Sequence, residues 1–235
     1  VFILLLIPTL KNNYTQISNT DISDVSKDYY SKRTTKIINV RLYIYLGLNI
    51  LMILALLLAG LPLFDAVNTS FSTIATGGFH IKNASIAAYD SFLIELIVSI
   101  FTIFGSLHFG LLYLSLVNRK AKILSSNVTK FFLRFVLISA LIISITLFIE
   151  GNYDTIWSSL RHGFFQTITI VSTTGFATAD TSQWPVLTIF ILLLLMLPGG
   201  CSGSTAGGLK ADRLAIVIAS VKASIKKQAH QNAVI

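Results

Sequence analysis

The chain has 235 residues, of which 54% are hydrophobic and only 12% are charged, whereas a soluble domain usually carries about 25% charged residues. Because the uncharged residues come in long runs, this deficit excludes an ordinary soluble protein and points to a membrane. The single cysteine, Cys201, excludes an internal disulfide. The net charge of +8 does not indicate nucleic-acid binding, because the basic residues gather beside the ends of apolar runs.

The N-terminal half predicts two crossings of a membrane. The apolar residues 1–10 have no signal-peptide pattern and are interpreted as the end of a preceding transmembrane helix, so that the sequence is expected to be a fragment. The polar residues 11–41 are predicted to form a cytoplasmic loop. The uncharged run 42–61 is long enough to cross a hydrocarbon core of about 30 Å as a helix. The run 91–117, which holds the single charge of Glu95, predicts the return helix.

The C-terminal half predicts the same order of elements. Residues 118–130 form a short basic turn, and the run 131–149 predicts another spanning helix. From Pro185 the chain is predicted to return through the membrane, and residues 222–235 form a cytoplasmic end. The predicted fold is therefore all-α and integral to the membrane.

Charge distribution orients these helices. The connectors 61–90 and 150–184 together hold five acidic and two basic residues, whereas basic residues cluster at the opposite ends of the apolar runs. By the positive-inside rule, the clusters are cytoplasmic and both connectors lie outside. The basic clusters comprise Lys32, Arg33, Lys36 and Arg41, then Arg119, Lys120, Lys122 and Lys130, and finally Lys210, Arg213, Lys222, Lys226 and Lys227.

The two outer connectors predict half-helices that enter the membrane and return on the same side. In 62–71 and 153–171, apolar residues recur four apart, as in a helix that packs on one face. A third full crossing would leave the chain on the wrong side, and re-entrant backbone is tolerated where it is buried in protein or lines a cavity. Each half-helix runs into a Thr/Gly/Phe segment, and aligning Gly78 on Gly175 superposes the two units at an offset of 97 residues.

These units, 42–117 and 131–221, are interpreted as tandem helix–pore loop–helix (M1-P-M2) repeats of the potassium-channel-like superfamily. A permeating cation exchanges its hydration water for rings of backbone carbonyls and threonine hydroxyls. Glycine allows the positive φ that directs successive carbonyls toward one axis, and the half-helix aims its negative C-terminal dipole end at the cation. As the alternative, both segments are tight turns between amphipathic helices. The predicted ion-binding residues are Ala75, Thr76, Gly77, Gly78 and Phe79 (the N-terminal filter segment) and Ser172, Thr173, Thr174, Gly175 and Phe176 (the C-terminal filter segment).

A run of small residues interrupts the last predicted helix. The apolar run 186–197 is too short to cross a membrane, and a second apolar run follows at 214–221. We interpret the two as one helix broken inside the membrane by a segment that coordinates ions or moves as a gate; the alternative is a glycine-rich cytoplasmic linker. This small-residue loop comprises Gly199, Gly200, Cys201, Ser202, Gly203, Ser204, Thr205, Ala206, Gly207 and Gly208.

Three motifs together resemble the bacterial Trk/Ktr-type potassium-uptake membrane subunits, and Cys201 with the Gly77-Gly78 pair is more similar to the Trk branch. The motifs are Ser-Thr-Ile-Ala-Thr-Gly-Gly-Phe, Ser-Thr-Thr-Gly-Phe-Ala-Thr-Ala-Asp and Gly-Gly-Cys-Ser-Gly-Ser-Thr-Ala-Gly-Gly-Leu-Lys. The resemblance implies four such units per subunit, of which this chain would hold the second and third. The first and fourth pore loops, and a positively charged residue that the family places opposite the gating loop, are not in this sequence.

The resemblance also implies a function and partners. K⁺ would be the transported ion, passing through backbone carbonyls and gated by 199–208, without a covalently bound cofactor and without enzyme activity. The subunit would lie in the bacterial cytoplasmic membrane as a multi-pass protein in contact with lipid, without nucleic acid. It would form a homodimer and bind a cytosolic nucleotide-binding regulatory subunit of the TrkA type.

Several charged residues near the predicted outer side have simpler interpretations. Glu95 lies one turn into its helix, and an interfacial position is the default. Arg161 and His162 are expected to pack or to face the surface rather than to touch an ion. Asp65 and Asp180 would attract cations at the outer mouth, although helix caps or solvated carboxylates explain them equally well.

Two rival functions belong to other classes. Gly200-Cys201-Ser202-Gly203 fits the G-x-S-G pattern of rhomboid-like intramembrane serine proteases, with Ser202 as nucleophile and His108 as base. That interpretation leaves both Thr/Gly/Phe segments unexplained, and so does a non-catalytic membrane scaffold. A Ser202→Ala change would abolish proteolysis but leave ion selectivity intact.

Overall fold

The computed structural model describes residues 34–117 and 125–229. All the regular secondary structure in these ranges is helical, apart from one isolated bridge between Pro198 and Leu209. The predicted helix end at 1–10, most of the loop 11–41, residues 118–124 of the basic turn and residues 230–235 lie outside the described part. The predicted all-α membrane fold is confirmed for the part that is described.

The N-terminal unit contains four α-helices and one 3₁₀-helix. The α-helices are α1 (Thr34–Leu58), α2 (Leu63–Ile74), α3 (Phe92–Ser106) and α4 (Phe109–Val117), and the 3₁₀-helix Ser85–Tyr89 precedes α3. Helix α1 ends because Gly60 takes a φ of +91° and the N–H of Leu61 donates to the carbonyl of Leu56, a typical glycine C-terminal motif. Pro62 directly precedes α2 as its N-cap residue, with a φ of −58° that is compatible with the start of a helix.

The C-terminal unit repeats this order. Its helices are α5 (Asn127–Ile149), α6 (Ile156–Val171), α7 (Val186–Leu195) and α8 (Ala211–Ala229), with a 3₁₀-helix at Thr181–Gln183 before α7. Helix α5 ends in the same glycine motif as α1, with Gly151 at a φ of +70° and the N–H of Asn152 donating to the carbonyl of Leu147. In each unit, this shared ending redirects the backbone from the spanning helix into the half-helix.

Two helices in the described ranges are long and apolar enough to cross a membrane, Val40–Leu58 and Asn127–Ile149. A third candidate span consists of Phe92–Ser106 and Phe109–Leu116, which meet at an angle of 102°. The apolar helix Val186–Leu195 is shorter. Helices α1 and α5 begin at Thr34 and Asn127, before the predicted starts at 42 and 131.

The predicted continuous helix over 91–117 is wrong. The helix breaks after Ser106, where Leu107 adopts extended backbone with φ −88° and ψ 160°. The carbonyls of Gly105 and Ser106, which a continuous helix would use internally, instead accept hydrogen bonds from the small-residue loop. Hydrogen bonds to the small-residue loop therefore replace those of a continuous helix. The last helix is broken in both units, whereas a break was predicted only in the C-terminal unit.

The backbone supports the internal repeat at an offset of 97 residues. The residues that follow α2 and α6, Ala75 and Ser172, have the same conformation, with φ −76° and −75° and ψ −4°. Thr76 and Thr173, which follow them, take positive φ values of 50° and 58°. This correspondence is stronger than the few sequence identities between the units.

Buried side chains of both units mix in the core. One hydrophobic cluster is built mainly from α1, α2 and α3, but also contains Phe165 and Phe176 of the C-terminal unit. The second is built mainly from α5, α6 and α7, but also contains Leu107. Large apolar side chains remain exposed on the outside, such as Leu58 and Val186. The two units therefore pack as one body whose outer surface suits lipid.

Candidate functional site

The N-terminal filter segment begins where α2 ends. The N–H groups of Ala75, Thr76 and Gly77 donate back to carbonyls of the last turn of α2, and Gly78 takes a φ of +71°. Because the N–H groups point back into the helix, the carbonyls after the turn are released from the helical ladder. The hydroxyl of Thr76 donates to the carbonyl of Ala75 over 2.7 Å.

The C-terminal filter segment has the same backbone with additional side-chain support. The hydroxyl of Thr169 donates to the carbonyl of Phe176 over 3.0 Å, and the hydroxyls of Ser172 and Thr174 are 2.8 Å apart. Gly175 takes a φ of +84°. The bond to Phe176 ties the end of the segment back to α6, and the contact between Ser172 and Thr174 lies within the segment.

The two terminal phenylalanines have different surroundings, which the sequence did not indicate. Phe176 is completely buried and meets the ring of His80 edge-on at 6.0 Å. Phe79, its counterpart, is 84% exposed. Phe176 therefore packs inside the described units, whereas Phe79 packs against neither of them.

The structure brings the two filter segments together. A Cβ atom built on Gly78 would lie only 1.8 Å from the carbonyl oxygen of Thr174. Beyond the segments, the N–H of Ala87 donates to the carbonyl of Ala177 over 3.1 Å, and the N–H of Ala177 donates to the hydroxyl of Ser85 over 3.2 Å. The candidate ligand atoms concentrated here are oxygens of backbone carbonyls and threonine hydroxyls, which suit an alkali cation.

The small-residue loop leaves and rejoins the helices through a narrow neck. The N–H of Gly199 donates to the carbonyl of Leu209 over 2.8 Å, and the N–H of Leu209 donates to the carbonyl of Leu197 over 3.0 Å. A Cβ on Gly199 would lie 1.8 Å from the carbonyl oxygen of Gly207. Any side chain at position 199 would clash with the backbone of the loop, so glycine is required there.

The loop docks on the break between α3 and α4. The N–H groups of Cys201 and Thr205 donate to the carbonyls of Ser106 and Gly105 over 2.8 and 3.1 Å. The N–H of Phe109, the first residue of α4, donates to the carbonyl of Gly203 over 3.3 Å. The loop thus satisfies backbone groups on both sides of the break.

The loop also bonds to both half-helix ends. The hydroxyl of Thr205 lies 2.7 Å from the carbonyl oxygen of Ile74, at the end of α2, and 2.9 Å from that of Gly105. The N–H of Gly207 donates to the hydroxyl of Thr173 over 2.7 Å. The loop therefore lies against the last turn of one half-helix and against a residue of the C-terminal filter segment.

Asp212 and Lys210 both form hydrogen bonds with the small-residue loop. No role was predicted for Asp212, and Lys210 was predicted only as part of a cytoplasmic basic cluster. The N–H of Ser202 donates to a carboxylate oxygen of Asp212, a buried residue in the first turn of α8, over 3.3 Å. The ammonium of Lys210 donates to the carbonyl of Ala206, so that Lys210 closes the loop besides marking a helix end. The available signal was an aspartate four positions after the last glycine of the run, at the start of the next apolar helix.

His108, the base of the protease alternative, stands at the break between α3 and α4. Its Nδ1 accepts a hydrogen bond from the N–H of Leu111 over 3.2 Å. The side chain therefore supports the first turn of α4, and this role explains His108 without proteolysis.

Glu95 is buried against the C-terminal unit rather than exposed at the surface of the protein. Its side chain is 4% exposed and forms an ion pair with Arg161 of α6 over 2.7 Å. Burying a carboxylate is costly unless it is paired, and Arg161 supplies the pair. The expectation that Arg161 packs rather than touches an ion agrees with this contact.

At the outer side, local hydrogen bonds explain the acidic residues. Asp65 accepts a hydrogen bond from Tyr89 over 2.8 Å and lies 3.7 Å from the ammonium of Lys82. Asp180 caps the 3₁₀-helix, and its bonds to the hydroxyl and N–H of Ser182 lower the pKa of its carboxyl. Asp65 thus joins α2 to the connector that follows the filter segment, and Asp180 acts as a helix cap.

His80 lies beside the N-terminal filter segment. Its Nδ1 accepts a hydrogen bond from the N–H of Lys82 over 3.1 Å, and its Nε2 is buried without a protein partner among the described residues. Burial lowers the pKa of the imidazole below its ordinary value, and this effect outweighs the opposing hydrogen bond that a protonated Nδ1 would donate to the carbonyl of Lys82. Burial therefore favours the neutral form of His80.

Comparisons with known proteins agree with this geometry. The family model "TrkH: Cation transport protein" matches residues 1–235. A Trk system potassium uptake protein TrkH from Halomonas elongata is 35% identical over the whole chain, which covers 49% of that protein. The TrkH protein of Salmonella typhimurium is also 35% identical, over 81% of the chain and 40% of its own length.

A solved structure supports the fold. The crystal structure of the potassium transporter TrkH from Vibrio parahaemolyticus superposes with a TM-score of 0.83 at 31% identity, covering 86% of the chain and 44% of that protein. The chain spans about half the length of these relatives or less. Because the family model covers every residue, the chain belongs to the TrkH family of cation transport proteins.

Proposed function

We propose that the full protein takes up K⁺ across the bacterial cytoplasmic membrane, through a filter to which this chain contributes the segments 75–79 and 172–176. The observation that carries the proposal is the close approach of Gly78 to the carbonyl of Thr174, between two segments of matching backbone. The relatives named above are potassium uptake proteins and a potassium transporter by name. Transport is passive permeation rather than an enzymatic reaction.

Ion binding in this proposal depends on the released carbonyls. A cation that leaves water needs oxygen ligands in place of its hydration shell, and carbonyls of the two segments, with hydroxyls of Thr76 and Thr173, supply them. The C-terminal ends of α2 and α6 add a negative dipole potential at the same place. Four segments are needed to surround an ion, and the remaining two would come from the parts of the protein outside this chain.

Gating in this proposal depends on loop 199–208. The hydroxyl of Thr205 donates a hydrogen bond to the carbonyl of Ile74, at the negative end of α2. The N–H of Gly207 donates a hydrogen bond to the hydroxyl oxygen of Thr173. A cation that passes from the filter toward the cytoplasm competes with the loop for these oxygens, so the loop must move before the ion proceeds.

The proposed assembly follows the family pattern. The full protein is a multi-pass homodimer in contact with membrane lipid, without nucleic acid or a covalently bound cofactor. A cytosolic nucleotide-binding regulatory subunit of the TrkA type controls the loop from the cytoplasmic side, where α8 begins three positions after the last residue of the loop. The acidic cap between Ser202 and Asp212 connects α8 to the loop and supports this route.

The test is K⁺ or Rb⁺ uptake by the full-length protein in cells that lack potassium uptake, comparing wild type with Gly175→Ser. A Cβ at Gly175 meets nothing within 4 Å, but its φ of +84° strains any side chain. We expect the variant to insert and to take up ions with altered preference among K⁺, Rb⁺ and Na⁺. Absence of uptake by a correctly inserted wild type would contradict the proposal.

A further inference from the structure

The ion pair between Glu95 and Arg161 joins the two units. Nε and Nη2 of Arg161 lie 2.7 and 2.9 Å from the two carboxylate oxygens of Glu95. These are two parallel, charge-assisted bonds, the arrangement that fixes direction as well as distance. Nη2 also lies 3.4 Å from a carboxylate oxygen of Asp90, which is 93% exposed. Within the described ranges, the ion pairs that cross between the units are those of Arg161.

The pair connects α6, which carries the C-terminal filter segment, to α3 of the N-terminal unit. Arg161 is on α6, which leads directly into the C-terminal filter segment. Glu95 is in the first turn of α3, which follows the N-terminal filter segment. Arg161 precedes Val171, the last residue of α6, by ten positions, a distance of about 15 Å along the helix. Neither side chain is therefore an ion ligand, and any effect on ions acts through the position of α6.

The surroundings make the pair dependent on its geometry. Glu95 and Arg161 line an apolar cleft between α3 and α6, together with Phe92, Leu96 and Trp157. The side chain of Glu95 is 4% exposed and that of Arg161 is 21% exposed, so the carboxylate depends on Arg161 for its solvation. A buried ion pair contributes little stability relative to well-packed apolar residues, and its best-attested effect is to specify one arrangement over others.

We propose that Arg161 and Glu95 are positioning residues that hold the C-terminal filter segment at a fixed distance from the N-terminal one. Ion discrimination depends on that distance because carbonyls of both segments must reach the same ion. This inference rests on the proposed potassium-uptake function. It assigns a role in discrimination to two residues that contact neither the ion nor the small-residue loop.

The test uses the full-length protein with two mild variants, Arg161→Lys and Glu95→Gln. Lysine keeps the positive charge but cannot form the two-pronged contact, and glutamine keeps the shape but removes the carboxylate charge. The readout is the ratio of Rb⁺ to Na⁺ uptake, normalised to the amount of protein in the membrane. Lys82→Gln is the matched control, because it breaks an ion pair within one unit.

We expect each variant to lower the Rb⁺/Na⁺ ratio by roughly tenfold, which corresponds to a change of about 1.4 kcal/mol in the difference between the two ions' binding free energies. The control should keep the wild-type ratio. An unchanged ratio in both variants, with or without reduced abundance, would show a structural role alone and overturn the inference. If one variant fails to insert, the ratio in the other decides. Failure of wild type to take up either ion would instead overturn the proposed function itself.

Discussion

Replacing Gly78 by alanine tests the contact between the filter segments directly. A Cβ at this position would lie 1.8 Å from the carbonyl oxygen of Thr174, whereas ordinary contact begins at 3.4 Å. The difference between these values, 1.6 Å, is the distance by which the segments must separate. The positive φ of 71° adds strain of about 1–2 kcal/mol. Gly77→Ala is the matched control, because its Cβ would meet its nearest neighbour at 3.5 Å without a positive φ.

We expect Gly78→Ala to reduce Rb⁺ uptake per inserted molecule by at least about tenfold, since each 1.4 kcal/mol changes an equilibrium about tenfold. Gly77→Ala should retain most of the uptake. The assay is ⁸⁶Rb⁺ uptake into potassium-starved cells, with membrane abundance measured for each variant. If both alanine variants took up Rb⁺ equally well, the tight contact would have no functional meaning and the reasoning would be refuted.

Two further predictions concern the small-residue loop and the outer side. Thr205→Val removes a hydroxyl that bonds two carbonyls; because a hydrogen bond contributes about 0.5–1.5 kcal/mol, basal Rb⁺ uptake should rise about tenfold. Ser204→Ala removes a buried hydroxyl that has no partner among the described residues and should leave uptake unchanged; an equal rise in both variants would refute the reasoning. At His80 the folded state binds a proton less readily than the unfolded state, so stability is retained above about pH 6.5 and falls as the pH drops below it. Melting temperatures of wild type and His80→Gln at pH 7.5 and 5.5 check this, and an equal decrease in both proteins would contradict it.

Local patterns in the sequence were sufficient to predict the half-helices and the turns that follow them. The Pro62 start and the apolar residues four apart are local signals, and the structure has α2 and α6 in the predicted places. The predicted need for positive φ at Gly78 and Gly175 is met as well. These features depend on residues close in sequence, which is why periodicity and turn chemistry found them.

Features that depend on distant residues could not be predicted. No proline marks the break after Ser106, and the partner that permits the break, Cys201, is 95 positions away. Similarly, Glu95 and Arg161 each appear as one charge in an apolar context, and nothing local indicates that they meet. Their burial as a pair could be inferred only once α3 and α6 were packed together.

The docking of the loop on a broken helix has a consequence for how the gate would operate. Cys201, Thr205 and Gly207 all donate backbone hydrogen bonds to groups on other elements, and a partial movement would leave some of those buried groups unpaired. Intermediate positions are therefore costly, while fully docked and fully withdrawn positions satisfy the polar groups with protein or with water. Such a loop would have two stable positions, and single-channel currents would show abrupt steps rather than graded changes.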